Sequence, residues 1–358
     1  MKGNVTNFLK HIPIRCWLLL LLLIGVGCVQ HITGWSTGYS QTVYPVIAKI
    51  LGGFSQWIPF ALGDLFIACA VIWLIASPFY KRFQQKKKWK AILFSEVEFL
   101  LWIYIWFYVA WGLNYSQPDF YARTGIARTE YADEDFRTFV TAYVDSLNQS
   151  YTATPITDKD SIAHAIAGSY LCTTALPGIH PPFQKCPKAK TMLFTPLASM
   201  VGVTGSMGPF FCEFTLNGEI LPSHYPATFA HELAHYQGIA REAEANLYAC
   251  LACTSSHIPA IRFSGYLSIL PHVLSNAAQV LKEEEYEQVF KSIRPEVIDL
   301  ARYNQQYWAD KYNPLIGNLQ KWLYELYLKG NRIASGRKNY SEVIGLLISY
   351  QKHKVSTN

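Results

Sequence analysis

The chain has 358 residues, of which 51% are hydrophobic and only 16% charged, a balance too apolar for an ordinary water-soluble enzyme and one that excludes intrinsic disorder. An aromatic share of 15% suits a chain that meets lipid headgroups as well as its own core. Much of the net charge of +6 sits in two clusters beside apolar runs, which marks membrane topology and excludes a nucleic-acid-binding face.

The first run, residues 16–32, reads CWLLLLLLIGVGCVQHI and follows Lys2, Lys10, His11 and Arg15. It is expected to span a membrane. Cleavage as a lipoprotein signal is the lesser alternative, because Gly25-Val26-Gly27-Cys28 matches a cleavage box poorly. The second run, residues 60–80, carries Asp64 near its start and is followed by KRFQQKKKWK, with six basic residues between Lys81 and Lys90. A third run, 91–113, is rich in Trp and Tyr and holds Glu96 and Glu98 near its basic end, where they can snorkel or pair with lysines. Positive charge at the amino end and in the 81–90 loop places both in the cytoplasm, so three spans deliver everything after about residue 114 to the opposite face. Residues 1–113 are thus expected to form a membrane region and 114–358 an extracytoplasmic domain. Between the first two spans, YPVIAKILGGFSQWIP is apolar but broken by Gly52-Gly53, which predicts an interfacial helix with no functional part.

Beyond the spans, YADEDFRTFVTAYVDSLNQSY has helical spacing and GIHPPFQKCPKAK reads as an irregular loop. The stretch TMLFTPLASMVGVTGSMGPFFCEFTLNGEILP, with its glycines and Asn217-Gly218, predicts a small sheet or hairpin, in which Glu213 reads as a surface carboxylate. After Pro226 the pattern is helical, near 227–237, 240–254, 260–282, 284–292, 295–311, 315–329 and 341–350. Of five cysteines outside the spans, Cys172 and Cys186 would close a short loop if bridged, whereas Cys250 and Cys253 fit the core of a helix.

His231-Glu232-Leu233-Ala234-His235 is an HExxH pattern in the helix expected to end at Gly238. Residues four apart share a helix face, so His231 and His235 can meet one Zn2+, while Glu232, about 100° round, faces the open position as a general base. A zinc site needs a third ligand. Gly238 can turn the chain so that REAEANLYACLAC begins a second helix facing the histidines, which favours Glu242, with Glu244 as the alternative third ligand. Asn246, one turn on, can hydrogen-bond a ligand, and His224 and Tyr225 are candidates for stabilising an oxyanion.

FAHELAHYQGIAREAEANLYACLAC, with GVTGSMGPFF before it and RFSGYL after it, resembles the bacterial membrane-protein family catalogued as domain of unknown function 3810, whose members carry HELAHQ and then REDEAN. That resemblance implies a zinc metallopeptidase joined to membrane helices of a bacterial inner membrane. More distantly, HELAH followed by Glu-x-x-Ala-Asn is similar to integral-membrane proteases of the CAAX-processing type, which maps the third ligand to Glu242 and puts Asn246 where those proteases have Asp. The two motifs lie much closer together here. The glycine turn is also similar to that of metzincins, but Arg241 stands where their third His would be.

The expected fold is mainly α, with three transmembrane helices followed by a helical, zincin-like metallopeptidase domain containing a small β-hairpin or sheet. The expected function is a membrane-anchored, zinc-dependent metallopeptidase acting on envelope or membrane-near polypeptides, with the lipid bilayer as its other partner. The alternative is a membrane-bound zinc-binding sensor or scaffold without proteolytic activity, against which the presence of Glu232 argues, since a closed structural site needs no general base.

Overall fold

The computed structural model of the protein describes residues 13–129, 133–172, 176–183, 185–331 and 338–357. Among these residues, three helices are long and apolar enough to cross a membrane: Ile14–His31, Leu62–Phe83 and Trp89–Ala110. Their outward side chains, such as Leu21, Ile72, Ile75 and Leu93, are exposed large hydrophobics, which lipid tolerates and water does not. The chain is a membrane protein. Near the basic turn joining the second and third spans, Lys81 Nζ lies 2.8 Å from Glu96 Oε1, and Arg15 Nε lies 2.9 Å from Glu98 Oε1. The third span stops at Ala110, earlier than residue 113, because Trp111 leaves helical geometry (φ −154°) and a 3-10 turn, Gly112–Ser116, follows at once.

The segment before the second span departs most from its sequence reading. Gly52-Gly53 does not break it: Tyr44–Ser55 is one continuous helix, and Tyr44, Ala48, Gly52 and Ser55 form a buried stripe along it. A Cβ on Gly52 would lie 2.4 Å from Tyr236 Oη and 2.9 Å from the Cys212 carbonyl, so glycine here permits close helix packing rather than a bend.

A three-stranded sheet has the order β1-β3-β2, where β1 is Lys190–Thr191, β2 Gly205–Gly208 and β3 Glu213–Leu216. Strands β2 and β3 form an antiparallel hairpin, with Gly205 opposite Leu216, and β1 runs parallel to β3. Every residue of β3 is buried, including Glu213, whose sequence reading as a surface carboxylate is corrected by its surroundings. Its carboxylate accepts from Lys190 Nζ at 2.5 Å, from Ser55 Oγ at 3.2 Å and from the Gly63 backbone at 2.6 Å. The helix Tyr44–Ser55 and the head of the second span cover this face of β3, so a strand that alternation would leave half-wet is enclosed.

The helices after residue 224 fall close to their expected places: Tyr225–Tyr236, Glu242–Thr254, Pro259–Val280, Glu283–Ser292, Pro295–Lys311, Pro314–Gly330 and Lys338–Thr357. Asp133–Ser150 is helical as its spacing predicts, Lys159–Leu171 is a helix in a stretch for which the spacing predicts no element, and Thr195–Met200 is a helix where short strands and turns were expected. One buried cluster joins Val26 of the first span, Tyr44, Trp111, Phe214, Leu233, Tyr248, Leu270 and Ile344, so residues on both sides of position 113 share a core. Among the described residues no disulfide forms, so Cys172 and Cys186 are not bridged, and Cys250 and Cys253 are buried.

Candidate metal centre

The HExxH residues lie on Tyr225–Tyr236, which has Pro226 in its first turn and buries Phe229, Ala230, Leu233 and Ala234 along one face. It ends in a paired C-terminal turn: Gly238 is left-handed (φ +89°), Gly238 N donates to the His235 carbonyl, and Ile239 N donates to the Ala234 carbonyl. A Cβ on Gly238 would lie 3.0 Å from the Tyr44 ring and 3.1 Å from Asn114 Oδ1, so both its dihedral and its neighbours require glycine. Three groups from the amino-terminal third hold this same turn. Trp111 Nε1 donates to the His235 carbonyl at 3.0 Å, Tyr44 Oη to the Tyr236 carbonyl at 2.6 Å, and Gln117 Nε2 to the Gly238 carbonyl.

After this turn, Glu242–Thr254 runs back along the motif helix, burying Ala243, Ala245 and Ala249, whose small side chains permit close approach. Glu242 Oε2 stands 3.2 Å from His231 Nε2 and 3.6 Å from His235 Nε2, and the two Nε2 atoms are 3.0 Å apart. These separations resemble the edges of a tetrahedral zinc shell, about 3.3 Å for ligands 2.0–2.1 Å from the metal. The remaining ring nitrogens fix the tautomers: His231 Nδ1 meets Asn246 Oδ1 at 2.9 Å, and His235 Nδ1 meets the Ile239 carbonyl at 2.6 Å. Both acceptors require a proton on Nδ1, so in the neutral imidazoles each Nε2 lone pair is available to a cation shared with the Glu242 carboxylate. Three donor atoms so aimed fit a divalent cation. Among the described residues, His231, His235 and Glu242 form the one group of three or more metal-ligating side chains this close together.

The charges respond as a coupled cluster. Burial disfavours the charged form of His235, yet the facing Glu242 carboxylate, Glu232 and the Ile239 carbonyl push its pKa up to about 9. Burial also works against ionised Glu242, but the two imidazoles hold its carboxyl well below the usual range. For Glu232, burial wins over the two imidazoles, Glu242 adds to the effect, and the pKa is raised. Glu232 is only 5% exposed, and among the described residues its Oε2 has no hydrogen-bond partner. It faces a cleft of about 780 Å3 that His231, His235, Glu242, Asn246 and His224 also line. Strand β2 passes directly over it. A Cβ on Gly205 would come within 2.3 Å of Glu232 Oε1, so the backbone at this point touches the carboxylate.

Other sequence candidates separate. Glu244 is turned away from the histidines: it accepts from Arg123 at 2.7 Å and from Phe120 N at 2.9 Å. Tyr225 does not line the cleft; its ring lies under Lys159 Nζ at 5.1 Å and beside Phe229. His224 does line it, with Ser223 Oγ 3.0 Å from its Nδ1, and burial pulls its pKa down to about 4. Sequence reasoning missed Tyr324, which reaches over from Pro314–Gly330 and donates to Glu242 Oε1 at 3.0 Å. It also missed Trp111 and Tyr44, which hold the end of the motif helix from far upstream, where no local spacing signals them.

The family described as "protein of unknown function (DUF3810)" matches residues 39–348, nearly the whole of what has just been described. The chain belongs to that family. The match takes in the second and third spans, the sheet and both motif-bearing helices together. No curated protein and no solved structure matches the chain.

Proposed function

We propose that this protein is a membrane-anchored zinc metallopeptidase. The observation that carries the reading is Glu232: a buried carboxylate with an unpartnered oxygen, in a cleft beside three converging donor atoms. A purely structural site would be closed by a fourth ligand and would have no use for such a group. In this reading His231, His235 and Glu242 hold Zn2+, which when bound acidifies water toward a pKa of about 7 and polarises the carbonyl it meets. Glu232 takes the proton from the attacking water and passes it to the leaving amine, and its raised pKa suits a group that must both accept and release a proton. In the tautomer in which Ser223 Oγ donates to His224 Nδ1, the His224 Nε2–H is a donor at the cleft wall and a candidate for the developing oxyanion.

A peptide also has a place to bind. The outer edge of β2 is unpaired within its sheet, and Gly205, Ser206 and Met207 line the cleft. An extended segment added there would lie against Glu232. We place the domain on the extracytoplasmic face of a bacterial inner membrane, opposite the basic 81–90 loop.

The test is hydrolysis of a casein-derived peptide by the full-length protein in detergent, beside Glu232→Gln. We expect one zinc per chain in both proteins, with hydrolysis that chelator abolishes and that the variant lowers by on the order of 10²–10⁴-fold. Zinc bound with no peptide hydrolysed would replace this reading with a sensor or scaffold; zinc absent from well-folded protein would remove both.

A further inference from the structure

The cleft extends down to the spans. Its wall includes Ile67 from Leu62–Phe83 and Phe107 from Trp89–Ala110. At about 1.5 Å per residue, Ile67 lies roughly 7 Å and Phe107 roughly 5 Å inside the ends of their helices, at the ends remote from the basic turn. Each helix has 22 residues. That is about 33 Å of helix against about 30 Å of hydrocarbon, so little length remains to lift these ends clear of lipid. The hairpin turn is clamped to the same place: Trp106 Nε1 donates to the Phe210 carbonyl at 3.0 Å, and the Phe66 ring packs 4.7 Å from Phe210 and 5.9 Å from Phe211. The free edge of β2 therefore runs toward the tops of the spans.

Two exposed apolar lips border the cleft. One is Phe194, Leu197 and Met200, tied to the head of the second span by Leu193 N donating to Asp64 Oδ2 at 2.9 Å and leading into cleft-lining Val201. The other is Leu315, Leu319 and Trp322, on the helix whose Gln320 and Tyr324 line the cleft. Asn313 N donates to the Met200 carbonyl at 2.9 Å and joins the two. Leu315 is 85% exposed. Large apolar side chains are costly in water and are sheltered in the interfacial layer of a bilayer.

We propose that these lips sit in the headgroup layer and that the cleft takes the stretch of a membrane-anchored polypeptide that lies just outside its own span. Such a segment enters sideways along the bilayer surface, between the lips, and pairs with β2. The substrate class rests on the peptidase reading; the placement of the lips does not.

Two measurements on full-length, zinc-loaded protein in phosphatidylcholine–phosphatidylglycerol vesicles test it. In the first, a fluorescent amino acid is introduced at Leu197, at Leu319 and at exposed Thr141 as control, and is quenched by headgroup-labelled nitroxide lipid or by a water-soluble nitroxide. We expect lipid quenching several-fold stronger at Leu197 and Leu319 than at Thr141; equal quenching at all three positions overturns the placement. In the second, a casein-derived peptide is joined to a synthetic single span through five or thirty residues. Five residues reach at most about 17 Å. We expect the five-residue form to be cut at least as fast as the thirty-residue form, and cutting of the long form alone overturns the proposal. If neither form nor the free peptide is cut, the peptidase reading and its substrate class fail together, and the quenching still decides where the lips lie.

Discussion

Glu242 is held from both sides: one carboxylate oxygen faces His231 and His235, and the other accepts from Tyr324. In the zinc reading, the Tyr324 bond would favour one-oxygen ligation by taking the second oxygen out of competition. Outer hydrogen bonds of this kind contribute about 10–100-fold to metal affinity. We therefore expect Tyr324→Phe to weaken zinc binding by roughly that factor in competition with a chromophoric chelator. Asn246→Ala is expected to do the same by freeing the His231 ring, and unchanged affinity in both would show that these contacts do not orient the ligands. His224 makes a prediction about pH. Its pKa falls from 6.5 when unfolded to about 4 when folded, because burial disfavours the imidazolium. Between those values the unfolded chain binds the extra proton, so stability drops as pH falls from about 6.5 toward 4. Unfolding followed across that range is expected to show a shallower slope in His224→Gln. At this scale, the cluster of His231, His235 and Glu242 was legible because one helix and one glycine turn bring the three side chains together. Tyr324 was not, since it stands 82 positions away and only tertiary packing brings it in. Gly205 was not either: its role is an approach of backbone to Glu232 that leaves no mark on local sequence.

Among elements, the ion pair between β1 and β3 is the joint that fixes the sheet to the membrane helices. Lys190 and Glu213 are both almost fully enclosed, and Ser55 and Gly63 add further bonds from the two helices above. Removing one partner leaves an uncompensated buried charge. Lys190→Met should cost about 3–5 kcal/mol, read by denaturation in detergent, and Lys190→Met with Glu213→Leu should recover much of it. Little or no loss in the single variant would mean that the ion pair does not hold the sheet to these helices. The seven helices after residue 224 were legible because their apolar residues recur at helical spacing on long, well-punctuated segments. Lys159–Leu171 escaped notice because Ala, Gly and Ser blur its stripe of Ile162, Ile166 and Tyr170. Thr195–Met200 is under two turns long, too short for periodicity to register. Glu213 was misread since nothing in β3 itself announces that the helix Tyr44–Ser55 lies over it.

For the molecule as a whole, the spans and the site are mechanically one body. The last turn of the motif helix presents three carbonyls, and Trp111, Tyr44 and Gln117 supply the donors that satisfy them. Two of those three donors precede residue 114. A fragment beginning at residue 114 would lose both, together with the glycine-to-tyrosine packing at Gly52 and the Ser55 and Gly63 bonds to Glu213. We expect such a fragment to aggregate or to bind zinc at least tenfold more weakly than the full chain, as read by size-exclusion chromatography and chelator competition. A monodisperse fragment with native affinity would show that the spans serve as a tether only. If the expectation holds, severing the part after residue 113 from its anchor would destroy the site instead of releasing an active soluble form, and the reach of this protein would end at the membrane that holds it.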